Sequence, residues 1–437
     1  MLQVHTVFAL AFGISVALVL ALRPLALRIG LLDLPDARKN HHGPVPLIGG
    51  LAVFLSVAVV LVLPPIPDVP VLVPAAVPFL LAGTLLSAVG LADDFVELSA
   101  TLRFVAQIAA TLVMIYIGGV VLADLGALGV GGTHLHLGIL AVPFTVFATV
   151  GVINALNMCD GLDGLSGTQT LISLAGFAAA LGLWGDASEG ALLASLAGAV
   201  AGFLLFNLRL PGLGRAAIFL GDAGSMFLGF ALTWFAITLS QGPDAVLKPA
   251  AALWFILVPI VDAVAMMLRR LVKRRSPFAP DREHLHHIFQ LAGFSVGQTV
   301  AIMAGIGVFG VAIGLLSTWL DLPDALIAGG FLAAGLLYFW MIMHAWRVMR
   351  FLRRSICRRR SDASRERRVV PDRRAGACTA YSGPERRSGL DRRTGVPRRS
   401  EDAGRCEPNL ERRQGVQPLL ARGATAAPTA MRPPAIT

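Results

Sequence analysis

Apolar runs of about twenty residues, each closed by a short polar stretch, recur along the first 346 residues of this 437-residue chain and then stop. A helix needs ~20 residues to cross ~30 Å of hydrocarbon, and lipid tolerates only helices or closed barrels. The pattern predicts helical spans at 6–28, 47–64, 72–92, 102–122, 137–156, 166–184, 190–206, 217–239, 250–270, 298–319 and 325–346. The expected fold is all-α: a polytopic integral membrane helical bundle of about 11 transmembrane helices over residues 1–346. A disordered C-terminal tail follows over residues 347–437. A hydrophobic content of 55% and a mean hydropathy of +0.71 agree, since a soluble domain so apolar would have little polar surface left. The first run has no basic residue before it and no small-x-small cleavage site, so it reads as a retained helix instead of a signal peptide.

Charge orients the bundle. Alternate loops carry Arg38 and Lys39, then Arg103, then Arg209 and Arg215, then Arg269 to Arg275. The intervening loops hold Asp68, Asp124, Asp186, Glu189, Asp244, Asp321 and Asp324, with Lys248 their single base. By the positive-inside rule the basic side is cytoplasmic, which places the N-terminus in the periplasm and the C-terminus inside, across an inner membrane. The tail has 23 Arg, no Lys and 9 acidic residues, for a net charge of +14 against −4 in the remainder. Its few apolar residues predict disorder, and its charge suits a solvated segment or attraction to anionic lipid or RNA. Four cysteines, three of them in the tail, have no spacing for zinc or for a disulfide framework.

Five polar clusters fall on the predicted cytoplasmic face. The central one, NALNMCDGLDGLSG (Asn154 to Gly167), places Asp160 and Asp163 where one span hands over to the next. A charged residue in lipid costs roughly 2.5–3.5 kcal/mol, so these carboxylates need a water boundary, a cation or both. Asn and Asp offer the hard oxygens that Mg2+ takes, although a polar turn favours the same residues. Asp93 and Asp94 close the third span in ADDFVEL, which suits a metal-associated site, a general base or an ordinary charged helix end. Asp222 enters the eighth span in FLGDAGSMFLGF between Gly221 and Gly224, the pattern of a metal ligand. Phe219, three residues earlier, suits the core, the lipid or a stacked base. In PDREHLHH, Arg282 with His284, His286 and His287 fits anion binding through donated hydrogen bonds, as do Arg38, Lys39 and His41 in RKNHHGPVPLIGG. Hard-cation ligands beside anion binders are what phosphoryl transfer from a nucleotide requires. The rival reading is a transporter or flippase of lipid-linked sugars, which would place charges near mid-bilayer in repeated halves.

NALNMCDGLDGLSG, GLADDF and FLGDAGSMFLG, in this order, resemble the polyprenyl-phosphate N-acetylhexosamine-1-phosphate transferases, glycosyltransferase family 4. The resemblance covers roughly residues 1–345. PDREHLHH and RKNHHGPVPLIGG look like the bacterial GlcNAc branch more than the peptidoglycan branch, whose lysine after the Asp pair is Glu97 here. What the resemblance implies is transfer of a sugar 1-phosphate, GlcNAc-1-phosphate foremost, from a UDP-sugar to undecaprenyl phosphate. UMP is released, Mg2+ or Mn2+ is required, and the step opens synthesis of a cell-surface polysaccharide. It implies Asp222 as metal ligand assisted by Asn157, and Asp93 as the base, supported by Asp94. Asp160 and Asp163 would hold nucleotide or metal, Asn207 and Phe219 the uracil, and His284, His286 and His287 the diphosphate or sugar. Asn154, Lys39, His41 and Arg282 complete the expected substrate contacts. The exact hexosamine, the downstream polymer and whether two copies form a homodimer stay open in the sequence.

Overall fold

The structure is a computed structural model that describes residues 2–34, 43–62, 75–185, 189–209, 215–274, 276, 284–344 and 347. By internal contacts the chain divides into one unit over Met1–Val369 and a second over Val370–Thr437, and the second lies wholly outside the described residues. The expected tail disorder therefore lies outside them too.

Among the described residues thirteen α-helices form the fold. They are α1 (Leu2–Ile29), α2 (Gly49–Val62), α3 (Ala76–Val96), α4 (Ala100–Tyr116), α5 (Ala141–Cys159), α6 (Leu165–Trp184) and α7 (Gly190–Asn207). The rest are α8 (Gly221–Thr238), α9 (Pro249–Phe255), α10 (Leu257–Val272), α11 (Leu285–Ala292), α12 (Val296–Trp319) and α13 (Asp324–Met343). The sheet content is a two-residue pair, β1 (Leu32–Asp33) antiparallel to β2 (Val45–Pro46).

Each predicted run contains a helix, but among the described residues length and apolarity alone qualify seven as spans, or eight when α9 and α10 are counted as one bent span. The helices α2 and α4 are apolar and shorter, with 14 and 17 residues. In the run at 102–122 the helix stops at Tyr116 and the chain turns through Gly119 at φ +68°. In the run at 217–239 the helix starts only at Gly221.

The bend between α9 and α10 has a local cause. Pro259 lacks the N–H that would bond the carbonyl of Phe255 four residues back, and its ring crowds that carbonyl. Ser173 Oγ on α6 takes the freed Phe255 carbonyl at 2.6 Å, and the axes of α9 and α10 diverge by 87°.

Helix α8 is the hub. Fifteen of its eighteen residues, Ala223 through Ile237, are buried, so it is apolar all round because it has neighbours all round. Phe79 on α3 meets Trp234 edge-to-face at 5.4 Å and Phe227 at 5.7 Å. Glycines let the backbones approach, as small residues do at helix crossings in membranes. A Cβ on Gly50 would lie 2.0 Å from Gly224 N, one on Gly90 2.5 Å from Ala223 Cα, and one on Gly229 2.6 Å from Ile153 Cα. Thus α2, α3 and α5 grip the first turns of α8, the end that carries Asp222.

Loops of opposite predicted side gather at opposite ends of the bundle. At the acidic end Gln241 Oε1 accepts from Ala123 N and Asp124 N, Asp324 Oδ2 accepts from Ala127 N, and Lys248 pairs with Asp321 at 2.7 Å. The chemistry-bearing clusters meet at the other end.

Candidate active site

The segment leading into α8 runs beside β2. Phe219 N donates to Pro46 O at 2.9 Å, Gly49 N to Phe219 O at 2.9 Å, and Gly50 N to Leu220 O at 2.8 Å. At Gly221 the backbone takes φ +73°, open to glycine at little cost, and a Cβ there would lie 2.6 Å from Asp94 Oδ2. Asp94 receives the first free amides of α8, Asp222 N at 2.9 Å and Ala223 N at 3.4 Å. A carboxylate at a helix N-terminus also meets the positive end of its dipole. Asp94 is therefore an anchor that fixes where α8 begins.

Asp222 follows in the first turn. Its Oδ1 accepts from Asn157 Nδ2, which also donates to Ser225 Oγ at 2.9 Å, and Asp93 faces the same carboxylate. Asp93 itself is buried, with Oδ2 bonded to Arg103 Nη1 at 2.9 Å and Oδ1 to Leu98 N at 2.6 Å. The central loop is pinned on both flanks. Asp163 Oδ2 accepts from Arg209 Nε at 2.7 Å and from Ala216 N at 3.1 Å. Asn207 accepts from Gly164 N and donates to Ile218 O, both at 2.8 Å. Asp160 caps α5 and accepts from Ser166 Oγ. Burial, with the nearby charges of Asp222 and Asp163 and against the Ser166 bond, pushes the Asp160 carboxyl up to about 7.

These elements enclose a cleft of about 550 Å³. Its walls include Asp94, Asn157, Asp160, Asp163 and Asp222, with Asn207, Phe219, Arg209 and His287. Asp33, Glu97 and Gln290 complete its polar rim. Eight of the site residues expected from the sequence thus come together from five separate stretches, and Arg209 joins them. Asp93 sits behind the wall. Asn154 lies one turn deeper on α5, where its amide donates to Gln107 Oε1 at 2.7 Å. There it lines a different space, an apolar groove of about 560 Å³ bounded by residues such as Phe104, Phe147, Ile237, Ile256 and Met267. Lys39, His41 and Arg282 lie outside the described residues.

The histidines pack as a group. His284 and His286 stack at 5.4 Å with 11° between rings, and His286 and His287 lie 4.3 Å apart. His286 is 1% exposed, with no hydrogen-bond partner among the described residues at either ring nitrogen, and a Cβ on Gly161 would lie 2.6 Å from its Nε2. Burial, reinforced by His287 and His284, holds its pKa down at about 3, so the ring is neutral. His284 Nδ1 lies 2.7 Å from Asp262 Oδ2, and Tyr338 donates to Asp262 Oδ1. Asp262, Tyr338 and Gln107 went unmarked in the sequence; the single carboxylate inside the apolar run LVPIVDAVAMM was the available signal.

Residues 76–240, from α3 through α8, match Glycosyl transferase family 4. The undecaprenyl-phosphate alpha-N-acetylglucosaminyl 1-phosphate transferase of Escherichia coli O157:H7 is 34% identical over 324 residues, 74% of this chain and 86% of that protein. The chain belongs to glycosyl transferase family 4. Proteins of the same description from Yersinia pestis and Haemophilus influenzae are 35% and 34% identical, covering 79% and 78% of this chain and 93% and 94% of theirs. The family match includes Asp93, Asp94, Asn157, Asp160, Asp163, Asn207 and Asp222, while His284, His286 and His287 lie beyond it.

Among the described residues no three His, Cys, Asp or Glu side chains form a ready-made metal cage. The cleft's oxygen donors still fit Mg2+. That ion is usually held by one or two carboxylates, retained waters and a substrate's phosphates, without an all-protein cage. Asp222 and Asn157 supply such a partial set.

Proposed function

We propose that this membrane protein transfers a sugar 1-phosphate, GlcNAc-1-phosphate, from a UDP-sugar to undecaprenyl phosphate. A phosphate oxygen of the lipid bonds to the β-phosphorus of the nucleotide sugar. The bridge between the α- and β-phosphates breaks, and UMP leaves with that oxygen. The phosphoanhydride count is unchanged, so the task is positioning and charge compensation. The observation that carries this reading is the cleft itself. The family-matched side chains Asp94, Asn157, Asp160, Asp163 and Asp222 line it, and His287 and Arg209 stand beside them. Relatives covering most of the chain bear the name of this activity, and nothing supports the transporter reading.

Mg2+ or Mn2+, held by Asp222 and Asn157, would neutralise charge on the diphosphate. Arg209 and Asn207 brace the central loop so that Asp160 and Asp163 hold their places around a nucleotide. Phe219 offers an aromatic face at the cleft wall, suited to a base. His287 provides a donor for phosphate oxygens. A proton taken up by Asp93 would have to displace the Arg103 bond. The apolar groove suits a segment of the polyprenyl chain: Asn154 in the groove and Asn157 in the cleft sit three residues apart on α5, about 4.5 Å along its axis. We place the site on the cytoplasmic face of an inner membrane, with the C-terminus inside, on the charge asymmetry of the loops and their gathering at opposite ends.

The test incubates detergent-purified protein with radiolabelled UDP-GlcNAc, undecaprenyl phosphate and Mg2+. Lipid-linked label with stoichiometric UMP is expected, and it should disappear when EDTA is added. Protein that is folded and metal-replete yet forms no lipid-linked label would overturn the proposal.

A further inference from the structure

The carboxylate of Asp262 lies inside an apolar helix, 1% exposed and outside every motif. A buried charge is retained at a cost unless it is fully partnered, and an apolar side chain would pack α10 at least as well. Asp262 is fully partnered. Its Oδ2 faces His284 Nδ1 at 2.7 Å, and its Oδ1 receives Tyr338 OH from α13 and Leu285 N, at 3.5 Å, from the start of α11. A carboxylate only accepts, so a proton lies on His284 Nδ1 and is donated to Asp262 Oδ2. The oriented ring then stacks on His286, which presses on Gly161 of the central loop, while His287 reaches the cleft.

From this geometry we infer that Asp262 and Tyr338 are positioning residues for the transfer reaction. They fix the orientation and tautomer of His284 and thereby set the histidine stack against the central loop and cleft. The inference rests on the function proposed above for its kinetic consequence, but not for its structural one. Helix α13 is through Tyr338 part of the site's support. Removing the partner that orients a functional histidine costs about 10–100-fold elsewhere, and the same range is expected here.

The experiment uses full-length protein with 15N-labelled histidine in detergent, with the His284 signal assigned by its loss in His284→Gln. Wild type should show His284 protonated at Nδ1. Asp262→Leu should move the proton to Nε2 and lower kcat 10–100-fold, with the KM for UDP-GlcNAc changed less than threefold. In the His284→Gln background Asp262→Leu should cost nothing further, because its effect passes through that ring. Tyr338→Phe removes one hydroxyl and keeps the ring. It should lower kcat about threefold and be silent in the same background, which carries the test if Asp262→Leu does not fold. The inference is overturned if wild-type His284 carries its proton on Nε2, or if Asp262→Leu leaves the tautomer unchanged. Losses that multiply in the double variant would overturn it as well. A wild-type protein without transfer activity would count against the proposed function alone, since the tautomer is read without turnover.

Discussion

Gly50→Ala should disable the site without touching it. The new Cβ would lie 2.0 Å from Gly224 N, 2.2 Å from Gly224 Cα and 2.8 Å from Leu220 O. All three are backbone atoms, so no side chain can swing aside. Ordinary contact begins near 3.4 Å, so α2 and the first turn of α8 must separate by about 1.4 Å. Over-packing of this kind costs roughly 1–3 kcal/mol or more. Asp222 lies two residues before Gly224 and moves with it, as do the amides of Asp222 and Ala223 on Asp94. A misplacement of about 1 Å can cost about 10²-fold in rate, so a hundredfold loss of transfer with the fold retained is the expected result. Gly13→Ala on α1 is the matched control, since a Cβ there meets nothing within 4 Å. The assay pairs label transfer with thermal unfolding monitored in the same detergent. Gly50→Ala with wild-type turnover and wild-type melting would show that the α2–α8 contact does not position Asp222.

Asp222→Asn keeps size and removes the charge facing Asn157 and Asp93. Transfer should fall by about three orders of magnitude with melting unchanged, and a folded variant of near-normal activity would exclude Asp222 as the metal ligand. Asp160 yields a pH signature. Its carboxyl titrates near 7 in the folded protein and near 3.8 unfolded, so between those values the folded state binds the extra proton. Stability therefore falls as pH rises through that window. Asp160→Asn should make this slope shallower, which melting curves from pH 4 to 7.5 without metal would reveal; an unchanged slope would locate the proton elsewhere. Truncation after Phe351 should leave transfer in neutral detergent nearly unchanged, and a loss above tenfold would make the tail part of the catalytic unit.

Among the described residues periodicity marked every long helix, because an apolar run of sufficient length has few alternatives in lipid, but it did not mark the eight-residue α11. It did not mark where helices stop. The run at 102–122 continues apolar past Tyr116, yet two glycines turn the chain there, and residues 217–220 are apolar but not helical, with Phe219 bonded to Pro46. Hydropathy is blind to direction, so the 87° break before α10 was visible only as Pro259. The motifs at span ends were legible because a charge beside lipid is expensive enough to need a reason. Their division of labour was not: Asp93 and Asp94 are neighbours in sequence, but one faces Arg103 and the other caps α8. Asn154 and Asn157 read alike, and only packing against Gln107 separates the deeper one from the cleft.

Asp262 shows where that limit comes from. One carboxylate among many apolar residues leaves a span apolar on average, so the run reads as an ordinary crossing. Its meaning depends on partners 22 and 76 residues away, His284 and Tyr338, and Tyr338 sits in a run with no motif of its own. The cost that makes a buried charge informative is physical, but whether it is met is a three-dimensional fact. Positions that touch water or substrate recur as polar islands and can be read along the chain. Positions that hold those islands in place are compensated inside the bilayer, and their signal cancels in any sum over sequence. The residues that support this site should therefore be sought among lone polar residues within spans, of which Gln107 beside Asn154 is the next example.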